Sequence, residues 1–89
     1  MLTSANKTVT EQVAATNVRF EGNNLYILLS DGREVSLPLD RIEWLEWLAN
    51  ATPGQRANWS LEPGGYAIYW EDLDDGIEVC HILTLEPLA

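Results

Sequence analysis

The chain has 89 residues and carries 14 acidic against 5 basic side chains, a formal net charge of −9. That length fits one domain with a modest core. The charge argues against direct nucleic-acid binding, because a phosphate-backbone binder needs lysine and arginine to displace counterions. With one cysteine and one histidine, an internal disulfide, a cysteine-based zinc site and an acyl-transfer or zinc enzyme have almost no material to work with.

Residues 1–12 are polar, with scattered apolar positions and Lys7 as the one basic residue. They read as a flexible arm ahead of a single α+β domain over 13–89. No apolar h-region stands near the start, and no apolar run approaches the ~18 residues of a membrane span. The expectation is a cytoplasmic protein without a membrane role.

A β pattern begins near Ala15, where Val18 and Phe20 share a face and Arg19 points away. Gly22-Asn23-Asn24 has turn chemistry. Leu25 to Leu29 follows as a second strand; Leu25, Ile27 and Leu29 line one side, while Tyr26 and Leu28 make the other side apolar too. Such a strand is covered twice or meets a partner, so a homodimer through Tyr26 and Leu28 is one expectation. Asp31-Gly32 is the strongest hairpin signal and suits a type I′ turn. Val35 and Leu37 then alternate with Glu34 and Ser36 until Pro38 ends the strand. An antiparallel three-stranded meander over 15–38 results.

Asp40 and Glu43 have the spacing of a capping box and predict a helix from there to about Asn50. At 100° per residue its apolar positions, Ile42 to Ala51, cover roughly 220°, wider than packing on one sheet requires. Trp44, Trp47 and Ala51 form the surplus flank. Either the 52–58 loop folds back over them, or they are an exposed aromatic patch of the kind that anchors interfaces. Thr52 with Pro53 reads as the cap and first residue of a short helical turn. Trp59 and Leu61 point inward from a strand, Pro63-Gly64-Gly65 is a turn, and Tyr66, Ile68 and Trp70 share one side of the next strand. After the acidic turn Glu71 to Gly76, residues 77–85 are ambiguous, with a short C-terminal helix favoured over a strand.

Trp44, Leu48, Ala51-Thr52-Pro53, Gln55-Arg56, Asn58-Trp59, Gly65-Tyr66, Ile68, Trp70 and Leu73-Asp74-Asp75 stand in one order. In that combination the chain resembles the family called domain of unknown function 2442, over about residues 15–83. It departs from the family pattern with Leu45-Glu46-Trp47 for a common Tyr-Pro-Arg, Glu71 for a proline, and Gly76 for the last acid. The resemblance implies a small prokaryotic α+β domain, sometimes fused ahead of a helix-turn-helix. It also implies a neighbouring small protein, in an arrangement like a toxin–antitoxin pair.

Two candidate sites follow. The acidic turn of Glu71, Asp72, Asp74 and Asp75 offers oxygens to a hard cation. Its spacing fails the calcium-loop pattern, because Leu73 falls where a third-position acid belongs. A solvated acidic turn is the alternative, and no cofactor is expected. Cys80 and His81 are adjacent in sequence and so poorly aimed at each other for nucleophile–base chemistry. Arg56, between tryptophans, either ties the 52–58 loop to Asp74 or a neighbour by charge-assisted hydrogen bonds or joins Trp44, Trp47 and Trp59 in recognising a partner. The functional expectation is a non-enzymatic protein-binding or regulatory module with a basic protein partner, antitoxin-like in a two-gene pair. The alternative is a small-ligand or divalent-metal sensor built on the acidic turn.

Overall fold

The computed structural model describes residues 13–83; the arm expected over residues 1–12 lies outside them. Two three-stranded antiparallel sheets pack into one core. The first is the meander of β1 (Ala15–Glu21), β2 (Asn24–Leu29) and β3 (Glu34–Pro38). The second orders β4 (Trp59–Leu61), β5 (Ala67–Trp70) and β6 (Asp75–Glu78) the same way. Helical turns fill the connection between the sheets, with α1 at Glu46–Ala49 and α2 at Pro53–Ala57. A last turn, α3 (Val79–Leu83), continues directly from β6. The ambiguous C-terminal run is thus strand first and helix after.

In the meander, Leu25, Ile27 and Leu29 are buried as the alternation predicts. The β2–β3 hairpin forms, but through a three-residue loop rather than a type I′ turn. Gly32 N–H donates to Leu29 C=O at 3.0 Å and Leu29 N–H to Arg33 C=O at 2.8 Å. Only Gly32 (φ 94°) takes a positive φ there, and Asp31 does not. That is the pattern of a turn followed by a glycine bulge. The Asp31 carboxylate fixes it by accepting from the Arg33 N–H at 3.0 Å and from Arg33 Nε at 2.8 Å.

The helix expected over 40–50 is broken. Leu39–Arg41 and Glu43–Leu45 are separate 3₁₀ turns, and Ile42 between them is extended (φ −113°, ψ 107°). Asp40 lies inside the first turn and caps nothing with its side chain. The reason is visible in the core. Leu39, Ile42, Leu45 and Leu48 are all buried, at a strict spacing of three. An α-helix advances 300° over three residues and would wind that stripe off the core. Two short 3₁₀ turns hinged at extended Ile42, followed by α1, let all four side chains reach the core. The wide apolar arc was therefore a sign of the wrong period.

Beyond the break, Thr52 and Gln55 form a reciprocal capping box, with bonds of 3.1 and 2.9 Å, and Pro53 opens α2 as expected. In the second sheet, Ile68 and Trp70 are fully buried. Tyr66, expected on their side, precedes the strand in a helical conformation and is exposed. Gly65 explains the displacement. At φ 75° it passes so close to β1 that a Cβ would stand 2.7 Å from the Ala15 carbonyl oxygen, so only glycine lets the second sheet's backbone lie against the first there.

Candidate partner-binding face

Trp70 is the centre of the second half of the chain. Its Nε1–H donates to Arg56 C=O at 3.0 Å, so the fully buried indole has its polar atom satisfied. Trp47 meets it edge to face at 5.8 Å between ring centroids, Phe20 does so at 6.4 Å, and Trp59 pairs with it across β4 and β5.

Arg56 does not reach for Asp74. Its guanidinium donates to the carbonyls of Leu48 (3.2 Å) and Ala49 (2.9 Å), which end α1. It also donates to Gly22 C=O (2.9 Å) and Asn23 Oδ1 (3.3 Å) in the β1–β2 turn, and it lies over the Phe20 ring. The cation thus closes a helix end and fastens it to the first sheet. Of the four predicted contact residues, Trp47, Arg56 and Trp59 are drawn into this packing, and Arg56 ties the segment after α1 back to the end of that helix, while Trp44 of the same flank stays exposed.

Trp44 alone stands apart. It is 38% exposed and meets His81 of α3 edge to face at 4.7 Å. That contact bridges the broken helical segment and the C-terminal turn, and sequence reasoning missed it. No spacing rule relates positions 44 and 81.

The acidic turn is a folded object. Glu71–Leu73 form a 3₁₀ turn that ends at Asp74 in the left-handed region (φ 52°). Tyr69 O–H donates to Asp74 at 2.6 Å, Asn58 Nδ2–H to Asp72 at 3.1 Å, and Gly76 N–H to Asp75 at 2.8 Å. Three carboxylates are thereby taken up locally, and among the described residues no group of three or more His, Cys, Asp or Glu could hold a metal ion.

Among the described residues, three side chains are displaced from their ordinary pKa, each by a local surface contact. The Glu34 hydrogen bond raises the Arg19 guanidinium, the Arg33 backbone N–H lowers Asp31, and the bond to Asp74 raises the Tyr69 phenol. On the outer face of the meander, Arg19 bridges Glu21 and Glu34 and covers the Tyr26 ring at 4.1 Å, leaving Leu28 exposed beside them.

Charge is divided unevenly along the described chain. The meander holds three carboxylates and two arginines, and ion pairs join all five. From Asp40 to Leu83 there are nine carboxylates against Arg41 and Arg56, and Arg56 is committed to carbonyl and amide oxygens. The negative field therefore comes from the helical connection and the second sheet, where Trp44 is exposed.

This architecture defines a small two-sheet α+β domain, closed around Trp70, whose surface carries a partly exposed indole at Trp44 and a one-sided acidic field. The chain belongs to the family described as Protein of unknown function (DUF2442), whose model matches residues 15–87. It is similar in fold to the crystal structure of a protein of unknown function from Rhodospirillum rubrum, with a TM-score of 0.67. The two are 20% identical over 82% of this chain and 87% of the other. No curated protein matches the chain. Among the described residues no helix is long and apolar enough to cross a membrane.

Proposed function

We propose that this domain is a non-enzymatic binding module for a basic protein, acting through the acidic face around Trp44. One observation carries the reading. Trp47 and Trp59 pack against the core and Trp70 lies within it, whereas Trp44 is left open between Glu43 and Glu46 in the chain. A large aromatic at the surface among like charges is poorly used by a free monomer, and such side chains anchor interfaces. The nine carboxylates of this half would speed encounter with a positive surface and fix its orientation. A module that covers a basic, functional surface of its partner fits the antitoxin-like member of a two-gene pair.

The experiment is co-expression of the tagged domain with its gene neighbours and purification at moderate salt. A stoichiometric basic partner, retained by the wild type and lost on Trp44→Ala with the melting temperature unchanged, supports the reading. A Trp44→Ala domain that keeps its partner would remove the anchor.

A further inference from the structure

We infer that the groove opened by the broken helix is the seat for arginine or lysine side chains of that partner. The inference rests on the binding-module reading and names the chemistry it recognises. The groove has a volume of about 450 Å³ and runs over Leu39, Ile42 and Ala49. Its walls carry Asp40, Glu43 and Glu46, with Arg41 as the one cation, so the rim is net negative.

The concavity follows from the backbone. In a continuous α-helix Asp40, Glu43 and Glu46 would fan over a convex surface. Here extended Ile42 separates the turns Leu39–Arg41 and Glu43–Leu45, and carboxylates from both sides of the break face one depression. The period-three burial of Leu39, Ile42, Leu45 and Leu48 holds that break in place, so the groove is built into the core.

Its chemistry selects the occupant. Leu39 and Ile42 are almost fully buried, at 1% and 8% exposed, so the floor offers too little apolar surface to hold a hydrophobic ligand. It is enough to support the aliphatic stem of a long cationic side chain, whose head then reaches the carboxylates at the rim. A second copy of this chain is a poor source, because it carries the same net charge of −9, and three of its five cations are committed: Arg19 and Arg33 are ion-paired, and Arg56 is held by four acceptors. The complementary surface is a basic segment of a different protein.

The test titrates the ¹⁵N-labelled domain with a capped peptide of alternating arginine and glycine, and with its citrulline counterpart, which keeps the shape and lacks the charge. The expected result is saturable shifts concentrated in residues 39–50 with the arginine peptide alone. The double variant Glu43→Gln/Glu46→Gln should weaken binding by about tenfold or more. Glu62→Gln/Glu71→Gln, which removes the same charge elsewhere, should leave it within about twofold. Equal weakening by both variants, shifts centred on residues 71–75, or no saturable binding would overturn the inference. The purified complex separates this claim from its parent. A partner lost on Trp44→Ala but retained by Glu43→Gln/Glu46→Gln refutes the groove and leaves the module standing. A groove-specific arginine titration without any co-purifying partner supports the groove and removes the parent reading.

Discussion

Replacing Arg56 by methionine keeps an unbranched stem of similar bulk and removes the guanidinium with all five donors. Four acceptors then lose their partner: the Leu48 and Ala49 carbonyls at the end of α1, and Gly22 C=O with Asn23 Oδ1 in the β1–β2 turn. Hydrogen bonds to a charged group contribute about 1.5–3 kcal/mol each, and a deserted carbonyl adds its desolvation cost where water cannot reach it. The two bonds to α1 are part-buried and count nearly in full, whereas the two to the turn are exposed and count for little. The expected loss is about 3–4 kcal/mol, a large share of the ~5–15 kcal/mol of a typical domain. Urea unfolding followed by tryptophan emission measures it; with a slope near 1 kcal/mol/M, the midpoint should fall by about 3 M. Arg56→Lys should recover less than half, since an ammonium is a point charge and cannot fork between the helix end and the turn. A methionine variant within about 1 kcal/mol of wild type, or a lysine variant equal to it, would show that Arg56 is not the clamp.

Trp47→Ala removes the ring that packs on Trp70 and should cost about 2–3 kcal/mol, whereas exposed Trp44→Ala should stay within about 1 kcal/mol; the same urea experiment separates them. Gly76→Asp should melt the domain about 10 °C lower. A Cβ at position 76 stands 2.6 Å from the Ile68 carbonyl oxygen, so β5 and β6 must part to admit it. Tyr69 gives a pH signature. Its folded pKa is raised by the bond to Asp74, so the stabilisation is complete below the unfolded tyrosine value of about 10 and is lost as pH climbs through the folded pKa. Ultraviolet titration should show the Tyr69 phenol ionising late, and Asp74→Asn should bring it back toward the ordinary tyrosine value.

The strands were legible because their signals are local. Alternation placed Leu25, Ile27 and Leu29 inside, and turn residues marked each end. Arg56 was recognisable as an anchor but not its partners, since the charge rule pointed to a carboxylate while the structure supplies carbonyls up to 34 positions away. A guanidinium's preference for open carbonyls at a helix end depends on where the helix stops, and its length was misjudged. The helix itself failed for a readable reason. Leu39, Ile42, Leu45 and Leu48 repeat every three residues, and testing that period against 3.6 would have predicted tight turns.

That error bears on function as well as on fold. Had residues 40–50 formed one amphipathic helix, Trp44 and Trp47 would have shared a flank, and the pair would have been a single aromatic patch. The break parts them: Trp47 goes to Trp70 in the core and Trp44 goes to His81 at the surface. It also turns a convex acidic ridge into a groove beside the exposed indole's own segment. Core packing at period three and the shape of the proposed binding surface are thus set by the same four apolar residues. A substitution that let this segment relax into a regular helix, such as Ile42→Ala, is therefore expected to change both.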